Sequence, residues 1–322
     1  MRVGVDTSPL VQSRAGTSRH VRGLLGALAG RPDLELRQLS FGGSGRASSL
    51  VRDAFWYPFA TGVAARGLDV LHCPTFRGPL RSPTPVVLTV HDLAIVRRPD
   101  AFPTWHRTYG RVGLRATVRA ADAVVALSEF TKAEVEDLLG VPAARIRVVP
   151  NGVDPVFTPD GQATEGDYVL AVATLEPRKN LGLAVEGARL AGVELRVVGA
   201  RGWGDVEVDG WAGFVPDDGL ARLYRGARCV LYPSLYEGFG LPVLEAMACG
   251  APVVTSRGGA TEETAGGAAV LVDPLDAASV AAGIEEASRR HDELVELGLA
   301  RAREFTCARS ADLVEALWRE LA

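Results

Sequence analysis

The chain has 322 residues, 47% of them hydrophobic, with 35 basic and 39 acidic side chains and a formal net charge of −4. This length and composition indicate a globular protein with two domains, and no apolar run approaches the ~18 residues of a membrane span. Residues 1–160 hold 20 basic and 14 acidic side chains, whereas residues 161–322 hold 15 basic and 25 acidic ones. The two halves therefore differ in the sign of their net charge. The first half is too weakly basic to indicate nucleic-acid binding.

Strand and helix patterns alternate along the first half of the chain. The apolar runs predict strands at 2–5, 34–39, 69–73, 85–90, 122–127 and 146–149. Helical spacing of apolar residues predicts helices at 16–29, 104–120 and 129–140. Because the strands are continuous runs of Val, Leu, Ala and Ile, they are typical of a parallel sheet that is buried on both faces.

The same alternation returns after residues 152–166, a stretch rich in Gly and Pro that we interpret as a linker. Strands are predicted at 168–173, 194–198, 228–232, 252–255 and 269–272. Helices are predicted at 179–191, 217–226, 242–249, 276–290, 292–304 and 308–321. The pattern predicts an α/β fold of two doubly wound, Rossmann-like domains whose parallel sheets face a central cleft. We place the domains at residues 1–158 and 167–305, with a terminal helix in 306–322.

Two glutamates, Glu237 and Glu245, follow the strand pattern at 228–232, with seven residues between them. The Gly-x-Gly-x-Pro sequence between the glutamates indicates a loop and then a helix that begins at Pro242. Free backbone N–H groups at such a helix start attract a diphosphate, whereas carboxylates accept hydrogen bonds from hydroxyls. The segment therefore offers the two kinds of contact that a nucleotide-sugar needs.

This segment, Glu-Gly-Phe-Gly-Leu-Pro-Val-Leu-Glu, resembles the Glu-x7-Glu signature of the retaining glycosyltransferases of family 4, which have the GT-B fold. The resemblance implies that Glu237 faces the donor sugar and that Glu245 binds the ribose hydroxyls. It also implies donor contacts from the residues that follow the first glutamate, namely Gly238, Phe239, Gly240 and Leu241. The alternative is an ordinary sheet crossover whose acids are solvated or lie near a helix dipole. In GT-B proteins the terminal helix returns to the first domain, and we expect the same of 306–322.

A second element, Glu176-Pro-Arg-Lys-Asn180, directly follows a predicted strand. Its cations, Arg178 and Lys179, stand at the carboxyl end of that strand, where open α/β sheets bind ligands. Two cations there would stabilise a leaving diphosphate, and the element resembles the family's Glu-Pro-Arg-Lys-Asn motif. The chain has only two lysines, and Lys179 is one of them, which indicates a need for a compact charge. The alternative is that Arg178 and Lys179 are solvated residues at the start of a helix and bind no ligand.

Three further positions are expected at the donor. Thr174 ends the strand that precedes the Glu-Pro-Arg-Lys-Asn element, and Val215 lies in Gly213-Phe-Val-Pro-Asp-Asp218, which resembles the family loop whose backbone meets the nucleobase. Near the N-terminus, Gly16 and Thr17 match a family glycine loop that approaches the donor phosphates. No G-x-G-x-x-G follows the first strand, which argues against a dinucleotide-dependent dehydrogenase.

His91 ends the apolar strand Val86-Val-Leu-Thr-Val90, so its side chain is expected at the carboxyl edge of the sheet. A lone histidine at a strand end is often a structural hydrogen-bonding residue. Here the His-Asp pair resembles a family pair whose histidine lies near the reacting sugar. We therefore expect His91 to be catalytic, together with Glu237, Lys179 and Arg178, through sugar positioning and charge stabilisation.

Metal and redox chemistry are not indicated. No Asp-x-Asp or histidine cluster has the spacing of metal ligands, so we expect no metal and no cofactor besides the donor substrate. The four cysteines are scattered without a C-x-x-C pair, which is typical of reduced thiols in a cytoplasm. The N-terminal sequence predicts a strand rather than a signal peptide.

The predicted helix 104–120 carries arginines at every fourth position, namely Arg107, Arg111, Arg115 and Arg119. This stripe could hold an anionic acceptor or make peripheral contact with the inner face of an anionic membrane. The alternative is that these arginines are ordinary solvated residues on the surface of the helix.

Taken with the resemblance, the sequence predicts a retaining glycosyltransferase that moves a hexose from a nucleotide-diphosphate sugar to a hydroxyl acceptor. The acceptor could be a glycan, a lipid-linked glycan or a small molecule. The Thr-Val-His-Asp-Leu context resembles mannosyltransferases, so GDP-mannose is the first expected donor and UDP-glucose the second. The alternatives are a GT-B-like epimerase or phosphorylase, or a non-catalytic protein that binds a sugar nucleotide.

Overall fold

The computed structural model describes residues 1–12, 16–43, 45–102, 104–203 and 206–322. The chain forms two compact units. Unit 1 comprises Met1–Arg97, Thr104–Gly152 and Cys307–Ala322, and unit 2 comprises Arg98–Pro103 and Val153–Thr306. The terminal helix thus lies in the same unit as the N-terminus.

Unit 1 is built on a six-stranded parallel sheet with the strand order β2-β1-β3-β4-β5-β6. The strands are β1 (Arg2–Asp6), β2 (Glu35–Leu39), β3 (Val70–Cys73), β4 (Val86–Val90), β5 (Ala123–Ala126) and β6 (Ile146–Val148). Residues of β3, β4 and β5 are buried throughout, as their continuous apolar runs predict. Because β1 lies between β2 and β3, the chain changes direction across the sheet beside β1.

Helices pack against this sheet, and the longer ones bury one apolar face each. They are α1 (Pro9–Gln12), α2 (Gly16–Leu28), α3 (Arg46–Val51), α4 (Thr61–Ala64), α5 (Ala94–Arg97), α6 (Thr104–Ala120), α7 (Glu129–Leu139) and α14 (Cys307–Leu321). A π-helical stretch, Arg52–Ala60, joins α3 to α4. The largest buried side chain of α14, Trp318, packs in one core cluster with Leu24 of α2 and Val3 of β1.

Unit 2 repeats the architecture with five parallel strands in the order β11-β10-β9-β7-β8. The strands are β7 (Tyr168–Val172), β8 (Glu194–Val198), β9 (Cys229–Tyr232), β10 (Val253–Ser256) and β11 (Val270–Val272). The helices are α8 (Leu181–Leu190), α9 (Asp217–Gly226), α10 (Leu241–Ala248), α11 (Gly259–Ala265), α12 (Ala277–Arg289) and α13 (His291–Ala302). The fold class predicted from the sequence, two parallel α/β sheets, is confirmed.

Every predicted strand is observed, and the predicted helices agree with the structure to within a few residues. The helical segment at 46–64 and the short helices α1, α5 and α11 were not predicted. No helix in the described part of the chain is long and apolar enough to cross a membrane.

Candidate active site

In unit 2, the loops that follow β7 and β9 meet at the carboxyl edge of the sheet. Strand β7 pairs with β8 on one side and with β9 on the other, so the strand order reverses beside β7. Such a reversal opens a crevice between the two loops that leave it. The backbone N–H of Leu235, in the β9 loop, donates to the carbonyl of Arg178, in the β7 loop, at 2.8 Å. The fold therefore joins the two motifs found in the sequence.

Four charged side chains fill this crevice. Lys179 Nζ lies 2.5 Å from Glu237 Oε1, and Arg178 Nη1 lies 2.9 Å from Glu237 Oε2. The second arginine nitrogen, Nη2, lies 2.8 Å from Glu176 Oε1. Lys179 Nζ also donates to the Tyr232 hydroxyl at 2.9 Å, and that hydroxyl donates to Glu237 Oε1 at 2.9 Å. One carboxylate thus holds both predicted cations at once.

Burial and neighbouring charges shift the pKa values of this network in opposite directions. Burial would raise the pKa of the Glu237 carboxyl, but the charges of Lys179 and Arg178 outweigh it and hold that pKa at about 2. Burial and the neighbouring Arg178 lower the pKa of the Lys179 ammonium, against the raising effect of Glu237 and Glu176. Burial and the adjacent carboxylate raise the pKa of the Tyr232 hydroxyl. Glu237 is therefore ionised at neutral pH and acts as an acceptor only.

Asn180, the last residue of the Glu-Pro-Arg-Lys-Asn element, holds the crevice in shape. It has a φ of 57° and is the only non-glycine residue with positive φ in the described part of the chain. Its side-chain amide donates to the carbonyl of Pro233 at 3.1 Å and to that of Pro274 at 2.7 Å. A residue for which the sequence predicted no role thus ties together the loops after β7, β9 and β11.

Helix α10 starts directly after the crevice. Its N-cap, Gly240, has a φ of 100°, and a Cβ there would lie 3.0 Å from the methyl group of Thr261, so both conformation and space favour glycine. The helix begins at Leu241, one residue earlier than predicted, and Pro242 is its second residue. Glu245 lies within the helix, is 1% exposed, and accepts from the Tyr224 hydroxyl at 3.1 Å. Gly238 and Phe239 occupy the loop that leads into this helix start.

In unit 1, His91 follows β4 as predicted and lies among other histidines. Its Nε2 lies 2.8 Å from the carbonyl oxygen of Pro74. A carbonyl only accepts, so Nε2 carries the proton and Nδ1 is left as an acceptor. The ring of His20, on α2, meets the His91 ring edge-on at a centroid distance of 5.1 Å. His20 Nδ1 lies 2.6 Å from Asn151 Oδ1.

Burial keeps this histidine cluster neutral. It lowers the pKa of His20 to about 3, with further lowering from His91 and His72 and a smaller raising effect of Asn151. Burial and His91 lower the pKa of His72 to about 3. Burial also lowers the pKa of His91, against the raising effects of the Pro74 carbonyl and Asp92. The sequence prediction missed His20 and Asn151, whose contact spans 131 residues.

The remaining predicted donor residues lie at element ends. Gly16 is the first residue of α2, where a Cβ would meet nothing within 4 Å, and Thr17 follows it half-buried. Thr174 is half-buried two residues after β7, and Val215 is half-buried just before α9. Their contacts with a donor stay predictions. No group of three or more His, Cys, Asp or Glu residues that could hold a metal occurs among the residues described.

The predicted arginine stripe lies on α6. Arg111, Arg115 and Arg119 are exposed, and Arg107 is half-buried. Leu114 and Val118 are buried, and they lie seven residues after Arg107 and Arg111, so the buried side of the helix adjoins the first two arginines of the stripe. The stripe therefore runs from the edge of the buried side, at Arg107, to the exposed side, at Arg119.

Two protein-family models match the chain. The model described as "Glycosyl transferases group 1" matches residues 166–290, and the model described as "Glycosyltransferase Family 4" matches residues 15–157. The O-antigen chain mannosyltransferase B of Escherichia coli is 34% identical, in an alignment that covers 74% of this chain and 70% of that protein. Some other relatives are longer, and the chain spans about a third of their length.

Solved structures are similar over the whole chain. Sucrose-phosphate synthase from Thermosynechococcus elongatus has a TM-score of 0.80 at 19% identity, over 99% of this chain and 98% of that chain. Anabaena HepE in complex with UDP and glucose has a TM-score of 0.74 at 18% identity, over 99% of both chains. At these identities the likeness concerns the fold.

Proposed function

Because the chain belongs to glycosyltransferase family 4, within the glycosyl transferases of group 1, we propose that it is a retaining hexosyltransferase that works without a metal. The observation that carries this proposal is the pairing of Lys179 and Arg178 with Glu237 beside the start of α10. These groups supply cations and the helix start at Gly240 and Leu241 for a diphosphate, and a carboxylate for sugar hydroxyls.

The paired charges suggest how donor binding is coupled to sugar recognition. Without a ligand, Glu237 is paired with both Lys179 and Arg178, and Glu176 supplies the second negative charge. A diphosphate would compete for the same two cations, so one or both oxygens of Glu237 would become available to accept hydrogen bonds from the sugar. The carboxylate would then orient the sugar while the cations stabilise the leaving diphosphate. The carboxylate of Glu245 is proposed to bind the ribose hydroxyls.

Unit 1 is proposed to supply His91 for sugar positioning. Its protonated Nε2 is engaged by the Pro74 carbonyl, so Nδ1 is the nitrogen that can accept a hydrogen bond from a sugar hydroxyl. The acceptor hydroxyl would lose its proton to the leaving phosphate as the new glycosidic bond forms. No protein base is needed for that proton balance.

We propose GDP-mannose as the first donor to test, because the E. coli relative with 34% identity is named a mannosyltransferase. UDP-glucose is the second, since the HepE structure holds UDP and glucose. The name of the E. coli relative also supports a glycan acceptor. We also propose a cytoplasmic location, and contact with an anionic acceptor or membrane through Arg107, Arg111, Arg115 and Arg119.

A thermal-shift panel with GDP, UDP, dTDP and ADP, each with and without a chelator, tests the donor site. Saturating nucleotide should stabilise the protein by about 2–4 kcal/mol, and the shift should be unchanged by the chelator. Glu245→Gln should reduce the shift, whereas Glu296→Gln, at an exposed position on α13, should not.

The panel, together with a turnover assay, discriminates between the remaining candidates. A shift that requires a metal would contradict metal independence. Turnover of the donor sugar without any acceptor would favour an epimerase-type reaction, and a requirement for inorganic phosphate would favour a phosphorylase. No shift with any nucleotide would remove Glu245, Arg178 and Lys179 from a donor site.

A further inference from the structure

The helical segment 46–64 of unit 1, formed by α3, the π-helical stretch and α4, presents an apolar face to solvent. Five large apolar side chains of this segment are about half exposed: Leu50 (57%), Val51 (47%), Phe55 (58%), Phe59 (57%) and Val63 (56%). Ala47 and Ala54 are exposed on the same segment. Four of the large residues recur at every fourth position, and the Phe55 and Phe59 ring centroids lie 6.4 Å apart.

The inward side of the same segment combines charged and aromatic side chains, since Tyr57 is 3% exposed and Trp56 packs against a core cluster. Arg52 is 1% exposed, and its guanidinium donates to the carbonyls of Phe41 and Gly43 at 2.9 and 3.2 Å. Asp53 lies 3.1 Å from Arg77. A surface helix in water usually keeps its large apolar side chains on the inward face. This segment has such residues on both faces, and water alone does not explain the exposed one.

The apolar face is firmly attached to unit 1. The backbone N–H of Leu80 donates to the carbonyl of Pro58 at 3.0 Å. A Cβ on Gly62 would lie 2.4 Å from the carbonyl oxygen of Arg81, so α4 and the 80–81 backbone are in close contact. The exposed phenyl rings are thus presented by a packed element.

The charges that border this face are basic. Arg66 and Arg81 are exposed beside the end of α4. Asp53 is the only acidic residue between positions 36 and 68 of the sequence, and it is paired with Arg77. An anionic surface would meet complementary charge here. A second copy of the chain would instead bring the same arginines together in a two-fold contact, which is unfavourable.

We propose that the apolar face of segment 46–64 docks onto the surface of an anionic lipid bilayer. Phe55, Phe59 and their apolar neighbours enter the boundary between headgroups and acyl chains, and Arg66 and Arg81 contact lipid phosphates. This surface is distinct from the arginine stripe of α6, and the proposal does not depend on glycosyl transfer.

Co-sedimentation of the full chain with vesicles tests the proposal. The chain should sediment with vesicles of equimolar phosphatidylcholine and phosphatidylglycerol and much less with phosphatidylcholine alone. The double variant Phe55→Ser/Phe59→Ser should lower the partition coefficient by about a hundredfold, roughly tenfold for each ring removed from the boundary. The matched control, Leu190→Ser/Leu275→Ser, changes two exposed leucines of unit 2 and should bind as the unchanged chain does. Arg66→Gln/Arg81→Gln should weaken binding and reduce its dependence on salt.

A cooperative thermal unfolding transition of each variant, measured without any nucleotide, shows that it is folded, and this control keeps the test separate from that of the donor site. Equal binding to both kinds of vesicle, or binding that the phenylalanine variant retains, would overturn the proposal. So would a dimer in light scattering that the phenylalanine variant converts to a monomer, because the apolar face would then be occupied by a second copy.

Discussion

The charged crevice of unit 2 and the histidine cluster of unit 1 solve the problem of buried polar groups in opposite ways. In unit 2, Lys179 and Arg178 stay charged because Glu237 and Glu176 lie within 3 Å of them. In unit 1, His20 and His91 are kept neutral by burial and are held by single hydrogen bonds and by each other's rings.

The difference affects both stability and chemistry. A paired network loses much when one member is removed, because the partner is left buried and uncompensated. A neutral cluster tolerates burial easily but is sensitive to protons. The first arrangement is suited to exchanging partners with an anionic ligand, and the second to presenting a hydrogen-bond acceptor of fixed tautomer.

Removing one cation from the charged crevice should have the largest effect on stability and turnover. Lys179→Met removes one of the two cations that hold Glu237, so we expect the free energy of unfolding to fall by about 3 kcal/mol. Turnover should fall by about two to three orders of magnitude, because a cation at the leaving diphosphate is lost. Urea unfolding and steady-state kinetics measure both.

The chain offers a matched control for this change. Lys132 is its only other lysine, and it forms an i,i+3 pair with Glu129 at the surface. Lys132→Met should leave turnover unchanged and alter stability by less than about 0.5 kcal/mol. Equal effects of the two substitutions would show that the crevice has no special role.

Acid should destabilise the histidine cluster before it affects the charged crevice. The pKa values of His20 and His72 are lowered to about 3, so their stabilising contribution is present above the unfolded pKa of about 6.5 and is lost as the pH falls below it. Burial raises the pKa of Asp6 to about 6, so the folded chain takes up a proton at Asp6 before the unfolded chain does, and this stabilises the fold as the pH falls. Between about pH 7 and about pH 5 we expect a net loss of about 2–3 kcal/mol.

Urea unfolding at a series of pH values checks this expectation. The pKa of Glu237 is lowered to about 2, so its stabilising contribution is lost only as the pH falls below its usual range near 4.3. A stability that stays constant down to about pH 5 would show that the histidines already take up protons in the folded chain.

Replacing His91 should separate catalysis from donor binding. His91→Ala removes the proposed acceptor of a sugar hydroxyl, so turnover should fall by about tenfold to a hundredfold while nucleotide affinity changes little. His291→Ala, at a half-exposed position on α13, is the control. Unchanged turnover in His91→Ala would exclude His91 from the reaction.

The smallest effect is expected at Glu245. Tyr224→Phe removes the hydroxyl that donates to Glu245 at 3.1 Å and should cost about 1 kcal/mol of stability, with a weaker nucleotide shift. Tyr168→Phe removes a hydroxyl that donates to the Leu223 carbonyl at 2.8 Å and should cost a similar amount of stability with no effect on the nucleotide. If both variants bind nucleotide equally, the Tyr224 hydroxyl does not act through the carboxylate.

The parallel sheets could be predicted from the sequence because buried strands are continuous apolar runs, such as Val86–Val90. The Glu-Pro-Arg-Lys-Asn and Glu-x7-Glu elements could be located because each is contiguous. Their direct contact could not be foreseen, since it depends on β7 and β9 being neighbours in the sheet. For the same reason the role of Asn180, whose partners lie 53 and 94 residues away, was not visible.

Segment 46–64 was not predicted as a helix for a different reason. Sequence patterns assume that apolar residues face the core, but here Phe55 and Phe59 are outside and Arg52 is inside. A π-helical stretch with an internal proline, Pro58, obscures the period further. The elements that escaped prediction in unit 1 thus include the one that exposes an apolar face.

The scarcity of lysine has a practical consequence. Lys179 is 8% exposed and engaged by Glu237, whereas the Lys132 side chain is 30% exposed. Amine-reactive reagents should therefore label the folded chain almost entirely at Lys132 and the N-terminal amine, without any engineering. Acylation of Lys179, read by peptide mass spectrometry, would then serve as a built-in reporter of the moments when its ion pair with Glu237 opens.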